Sequence, residues 1–130
     1  MSDLEAIAAD VVDTSLLIHR QLGPGLLESV CETLLAAELG RRGHLALRQQ
    51  PVDFTFNGIR FDAAFRVDLL VGSRLVVEIK SADRLAGVHA RQLLTYLRLM
   101  QQPMGLLINF GGETLKEGLK RVVNNHVFAP

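Results

Sequence analysis

The sequence predicts an α/β fold in which one mixed β-sheet is flanked by helices. Apolar residues recur at helical spacing at the start of the chain and again after residue 81. Between these two parts the sequence alternates and is rich in Val, Phe, Ile and Leu, which is typical of strands. A short apolar run at residues 104–110 then follows, as expected for a strand that is covered on both faces.

Two helices are predicted at the start of the chain. The first covers residues 3 to about 21, and the Gly23-Pro24-Gly25 stretch breaks it from the second. Gly40 or Gly43 ends the second helix. The predicted buried stripe of this second helix consists of Leu27, Val30, Cys31, Leu34, Leu35 and Leu39.

Three antiparallel strands are predicted next, at about residues 45–57, 60–71 and 74–80. Asn57-Gly58 and Gly72-Ser73 are the turn signals that separate them. Pro51 indicates that the first strand lies at an edge of the sheet or contains a break.

The remaining elements are a helix over residues 88–100, a strand over 104–110 and a last helix over 113–125. The strand ending at Lys80, the helix after it and the next strand form a βαβ unit, whose crossover should be parallel and right-handed. The last helix is expected to bury Leu115, Leu119, Val122 and Val123.

Length and charge limit the classes of protein. The 130 residues suit a single domain over 1–130. Lys and Arg total 14 and Asp and Glu total 14, so bulk charge alone would not hold nucleic acid. A local basic patch, a homodimer or a protein partner would have to supply that attraction. No apolar run approaches the roughly 18 residues of a membrane span, and the acidic start lacks the basic segment of a signal peptide, so a cytoplasmic protein is expected.

Two opposite charges lie inside the otherwise apolar stretch RLVVEIKS, residues 74–81. Glu78 and Lys80 are two residues apart and therefore share one face of a strand. Asp68 lies in the preceding strand, within FRVDLLV. A two-residue turn would place Asp68 opposite Val77, whereas a three-residue turn places it opposite Glu78.

The apolar pattern favours the three-residue turn. That register pairs Leu69 with Val77 and Val71 with Leu75, which gives one fully apolar face. The other face then carries the acidic residues together with Lys80.

Two facing carboxylates have a definite chemical consequence. Opposite positions of paired strands have Cβ atoms roughly 4.5–5.5 Å apart, so two negative charges there raise a pKa or require a cation. Oxygen ligands favour Mg²⁺ or Mn²⁺. Lys80 beside such a site would orient an attacking water or stabilise charge on a phosphate. The alternative is a solvated sheet face with an ion pair worth about 0–1 kcal/mol, and spacing alone does not decide between them.

Several blocks of the sequence together resemble a known family. Asp68 followed by Glu78-Ile79-Lys80, in an α-β-β-β-α-β order, resembles the PD-(D/E)XK nuclease superfamily, which has the restriction-endonuclease-like fold. More narrowly, IHRQLGPGLLESVCETLLAAEL, FRVDLLV, VVEIKS, HARQLLTYLRLM and GLLINFG together resemble the GxxExxY protein family. These blocks extend from about residue 18 to residue 121.

The resemblance implies a restriction-endonuclease-like core with an extra helix at each end and an Mg²⁺- or Mn²⁺-dependent nuclease that acts on DNA or RNA. Asp68 and Glu78 would bind the metal, aided by the backbone carbonyl of Ile79, and Lys80 would be the catalytic lysine. Glu28 in Gly25-x-x-Glu28 resembles the helix carboxylate that joins such sites, although it could instead complement the helix dipole.

The same resemblance implies roles for three further residues, and at one position this sequence differs from the family. Gln92 and Tyr96 match a Q-x-x-x-Y pattern and share one helical face, which would overlook the site. His19 would support the site, although a hydrogen-bonded core or turn histidine is favoured over a catalytic base. Cys31 stands where the family has Tyr; it lies in an apolar stripe, which favours a core thiol over a nucleophile.

The sequence is therefore compatible with three functions. The first is a metal-dependent phosphodiesterase acting on DNA or RNA. The second is a non-catalytic module that binds nucleic acid or protein and retains the fold. The third is a structural subunit of an oligomer.

Overall fold

The computed structural model describes residues 3–125 and confirms the α/β fold with a mixed sheet flanked by helices. The five strands lie in sequence order, β1-β2-β3-β4-β5. Strands β3 and β4 are parallel, and the other neighbouring strands are antiparallel. The elements are α1 (Leu4–Leu22), α2 (Glu28–Arg41), β1 (Ala46–Phe56), β2 (Ile59–Val71), β3 (Leu75–Lys80), α3 (Gly87–Met100), β4 (Met104–Asn109), a 3₁₀ turn (Lys116–Gly118) and β5 (Leu119–Val123).

The sheet has an apolar cluster on each face. Helices α1 and α2 pack on one face, where Leu35, Leu69 and Ile108 are fully buried. Helix α3 packs on the other face through Leu93 and Leu97. Every residue of β4 is buried, as expected for a strand covered on both sides. None of the helices within residues 3–125 is long and apolar enough to cross a membrane.

The β1–β2 hairpin follows the predicted turn chemistry. Asn57 and Gly58 have φ angles of 49° and 79°, and Phe56 pairs with Ile59 across this two-residue turn. Positive φ at both turn residues matches the right-handed twist of a hairpin. Strand β1 is an edge strand, as Pro51 predicts.

Helix α2 and its N-cap depart from the predicted buried stripe at two positions, and the helix buries one residue outside that stripe. Leu27 and Val30 are 72% and 39% exposed, whereas Cys31 is 1% exposed. Burial raises the pKa of the Cys31 thiol, which suits an unreactive core residue. The charged residue next to it, Glu32, is only 5% exposed although it does not belong to the predicted stripe.

The predicted C-terminal helix over residues 113–125 is wrong. A 3₁₀ turn, Lys116–Gly118, leads instead into β5, which pairs antiparallel with β4. Gly118 lies so close to Asn109 that a Cβ atom would come within 2.7 Å of the Asn109 carbonyl oxygen. This close approach turns the chain onto the free edge of β4, where backbone pairing overrides the helical spacing of the apolar residues. Val123, expected to be buried, is 51% exposed.

Candidate active site

Strands β2 and β3 separate at Asp68 and Glu78, and we call this point the fork. The β2–β3 pairing runs through Val71–Leu75 to Leu69–Val77, so the predicted three-residue turn is confirmed. Beyond this point the two acidic side chains replace the backbone pairing.

Reciprocal hydrogen bonds hold the two carboxylates at the fork. The backbone N–H of Asp68 donates to Glu78 Oε2 at 2.7 Å. The backbone N–H of Ile79 donates to Asp68 Oδ2 at 2.8 Å. Each carboxylate therefore accepts a backbone N–H of the opposite strand in place of a backbone carbonyl. The two carboxylates lie close together, as the sequence predicts.

The negative charge of Glu78 is strongly disfavoured. Its side chain is 7% exposed. Burial, followed by the charge of Asp68, raises the pKa of Glu78 to about 8, with a further upward contribution from Glu32. The N–H of Asp68 and the charge of Lys80 act in the opposite direction. The charge of Lys80 therefore does not cancel the effects of burial and of the neighbouring acids on the pKa of Glu78.

Tyr96 is the aromatic residue that the structure brings to the fork. Its ring stacks on Phe65 of β2, with ring centroids 4.1 Å apart. Burial and then the charges of Glu78 and Asp68 raise the pKa of Tyr96. The α3 face that the sequence predicts to overlook the site therefore does so at this residue.

Two residues at the fork are missing from the prediction, Glu32 on α2 and Gln49 on β1. Glu32 accepts hydrogen bonds from Arg48 Nε at 3.1 Å and from Gln49 Nε2 at 2.6 Å. Gln49 Nε2 also donates to Asp68 Oδ1 at 3.2 Å. The sequence holds one signal for Glu32: it lies one turn after Glu28, beside the buried stripe of the helix.

Glu28 lines an open cavity of about 290 Å³ next to the carboxylates. Its N-terminal position on α2 is fixed from the end of β3, because Ser81 Oγ donates to the carbonyl oxygen of Leu26 at 2.6 Å. The residues around this cavity are Glu28, Ser29, Glu32, Arg48, Gln49, Asp68 and Ile79.

Two predicted residues have other neighbours. His19 is 8% exposed and its Nε2 donates to the carbonyl oxygen of Gly112 at 2.9 Å, so it supports the loop after β4. Gln92 is exposed, and its side chain makes no hydrogen bond to any of the residues 3–125. Neither side chain therefore makes a hydrogen bond to the carboxylate of Asp68 or Glu78.

The loop after Lys80 is fixed by a buried amide. Asn109 Oδ1 accepts from the N–H of Ala82 at 2.9 Å, and Asn109 Nδ2 donates to the Ala82 carbonyl at 2.9 Å. Gly111 packs against the same segment, where a Cβ atom would lie 2.4 Å from the nitrogen of Ala82. These contacts fix the end of the strand that carries Lys80.

The donors at the fork fit a hard divalent cation. Asp68 and Glu78 present carboxylate oxygens, the ligand type that Mg²⁺ and Mn²⁺ prefer. Burial and then the charge of Asp68 raise the pKa of Glu78, and a bound cation would oppose both effects. In the part of the chain that the structure describes, no three His, Cys, Asp or Glu side chains form a ready-made metal cluster. Water or substrate oxygens would therefore complete the coordination, as is usual for Mg²⁺.

The comparison with family models identifies the family. Residues 5–122 match the model of the PD-(D/E)XK nuclease superfamily. The chain belongs to this superfamily. Its members generally use divalent metals and act on nucleic acid.

Comparisons with individual proteins add information on the fold. The chain is similar to the crystal structure of SSO0001, with a TM-score of 0.50 and 18% sequence identity. The similarity covers 93% of this chain but 57% of SSO0001. This chain therefore spans little more than half of the length of SSO0001. A search of the curated proteins finds no match.

Proposed function

We propose that this chain is a metal-dependent nuclease that hydrolyses phosphodiester bonds in DNA or RNA. The observation that carries the proposal is the pair of facing carboxylates at the fork, Asp68 and Glu78. Lys80 follows Glu78 by two residues on β3. The membership of the superfamily supports the reaction class.

Asp68 and Glu78 would bind Mg²⁺ or Mn²⁺. The backbone carbonyl of Ile79 would assist, since the N–H of that residue bonds to Asp68 and the two backbone groups of a strand residue point to the same side. The bound ion would polarise the scissile phosphate and neutralise the two acids. A divalent charge would also offset the desolvation cost that keeps Glu78 protonated.

Lys80 would stabilise the charge that develops on the phosphate or orient the attacking water. Tyr96 stands beside the two acids, where its ring would contact substrate. Glu28 would complete the acidic wall of the cavity. Gln92 and His19 would take supporting roles, Gln92 towards substrate and His19 through the loop at Gly112.

We further propose that the chain is a member of the GxxExxY family, because the blocks between residues 18 and 121, which include Gly25-x-x-Glu28, resemble that family when taken together. Cys31 takes the place of the family Tyr, and its burial suits a packing role for that position. A homodimer or a protein partner would supply further contacts to nucleic acid, because the net charge of zero gives no bulk attraction. The cytoplasmic location stays a prediction.

Cleavage assays on variants of the fork test the proposed function. The wild-type protein is incubated with Mn²⁺ and with single- and double-stranded DNA and RNA. We expect Asp68→Ala and Lys80→Ala to lower the cleavage rate by about 10²–10³-fold, the usual cost of losing an electrostatic contact to the transition state. Asp13→Ala and Lys116→Ala serve as controls, because both residues are exposed.

Cleavage that continues unchanged in both fork variants would show a contaminating nuclease or a different site. If the wild-type protein binds nucleic acid but cuts none of the substrates, the non-catalytic binding module is the better assignment. A change in oligomeric state in Glu78→Gln, measured by sedimentation, would instead favour the structural subunit.

A further inference from the structure

Gln49 connects two acidic side chains that come from different elements. Its Nε2 donates to Glu32 Oε1 at 2.6 Å and to Asp68 Oδ1 at 3.2 Å. We propose that Gln49 is a positioning residue that fixes the Asp68 carboxylate, with Glu32 as its anchor. The inference rests on the proposed function, in which Asp68 binds the metal.

Only one orientation of the Gln49 amide allows both hydrogen bonds. A glutamine NH₂ group carries two donors, and here both are directed at carboxylates. The opposite orientation would turn the amide oxygen towards two acids and lose both bonds. Glu32 is buried and also accepts a hydrogen bond from Arg48 Nε at 3.1 Å, so a second bond holds the anchor.

The backbone of Gln49 is bent at the position that faces Asp68. Its neighbours Arg48 and Gln50 pair with Leu69 and Val67, which places Gln49 opposite Asp68. Its φ angle is +50°, a left-handed conformation that non-glycine residues adopt with strain. Glycine would relieve this strain but would lose the side chain that makes both bonds. Strained backbone kept together with a bonding side chain is typical of functional positions.

The two bonds to Asp68 orient its carboxylate and leave both oxygens accessible to a cation. Asp68 Oδ2 accepts from the N–H of Ile79 and Oδ1 accepts from Gln49, so each oxygen keeps a lone pair for a cation. A neutral amide brings no positive charge to the carboxylate, whereas a lysine or arginine in its place would compete with a metal ion. Partners of this kind orient the ligands of metal sites.

The test compares Gln49→Met with Gln50→Met. Methionine keeps the length of the side chain and removes the donors. Gln50 is the matched control, because it lies next in the same strand and its side chain makes no hydrogen bond within residues 3–125. The first measurement is Mn²⁺ affinity by calorimetry. The second is hydrogen exchange of the Ile79 amide in the metal-free protein, since that N–H reports on the position of the Asp68 carboxylate.

We expect Gln49→Met to bind Mn²⁺ about 10–100-fold more weakly and its Ile79 amide to exchange faster, while Gln50→Met matches the wild type. Gln49→Gly should unfold at a higher temperature than Gln49→Met, because glycine relieves the strain, yet bind Mn²⁺ no better. Affinity that recovers together with stability in Gln49→Gly would overturn the proposal in favour of a purely structural role.

Unchanged Mn²⁺ affinity and unchanged Ile79 exchange in Gln49→Met would also overturn it. If the wild-type protein neither binds Mn²⁺ nor cuts nucleic acid, the proposed function fails. The exchange of Ile79 then decides the positioning role by itself: faster exchange in Gln49→Met supports it and unchanged exchange overturns it.

Discussion

The β2–β3 hairpin has two halves that are held in opposite ways. Near its turn, the pairs Val71–Leu75 and Leu69–Val77 join the strands by backbone bonds, and all four side chains are 0% exposed. At the fork, the carboxylates of Asp68 and Glu78 take over the role of the backbone acceptors. The first half gains from burial, whereas the second half buries an acid next to another acid.

The contrast shows where the fold buries acidic groups at a cost in stability. Apolar pairs are stable at any pH, because no group in them titrates. An acid pair is tolerated only while one partner is protonated or a cation is present. The rigid apolar half therefore fixes the register, and that register brings two charges together that would otherwise separate.

The largest expected effect comes from the apolar half. Leu69→Ala should lower the free energy of unfolding by about 2–5 kcal/mol, because it leaves a cavity in a fully buried place. Denaturant titration at pH 5 and pH 9 measures it. The loss should be the same at both pH values, and a loss that depends on pH would break the distinction between the two halves.

The sequence predicts both the apolar half of the hairpin and the two facing acids of the fork, and it does so for one physical reason. A single register places Leu69 and Val77 together on an apolar face, and that register also aligns Asp68 with Glu78. This information is local, since it lies within two neighbouring strands and their turn.

The features that the sequence does not predict depend on contacts between distant segments. Glu32 and Gln49 meet only because α2 packs beside β1, and no local pattern encodes their hydrogen bond. The same holds for β5, whose apolar spacing suits a helix until the edge of β4 offers backbone partners. Tertiary context overrides local propensity in both cases.

The second prediction tests the acidic half in the metal-free protein. The pKa of Glu78 is about 8 in the fold, against an ordinary value of 4.5. Between these values the folded state keeps a proton that the unfolded state has lost, so the contribution of Glu78 to stability is largest at low pH and falls as the pH rises. The expected slope is about 1.4 kcal/mol per pH unit, up to about 4 kcal/mol between pH 5 and pH 8.

Glu78→Gln should remove this slope, because the amide stays neutral, and it should be more stable than the wild type at pH 9. Denaturant titrations across pH 5–9 with a chelator present measure both proteins. Glu113→Gln, a change at an exposed acid, is the control. Parallel curves for wild type and Glu78→Gln would mean that Glu78 ionises normally in the fold.

The smallest expected effect concerns Lys80, the positively charged residue next to the fork. The positive charge of Lys80 lowers the pKa of Glu78, so removing it should raise that pKa further. In metal-free Lys80→Met, stability should match the wild type at pH 5, where folded Glu78 is protonated in both proteins. Above pH 8 it should be lower by less than about 1 kcal/mol, since Lys80 is partly solvated. Lys116→Met, at an exposed lysine, should show no such dependence on pH. An equal change in both variants would assign the effect to general surface charge and separate Lys80 from the acids of the fork.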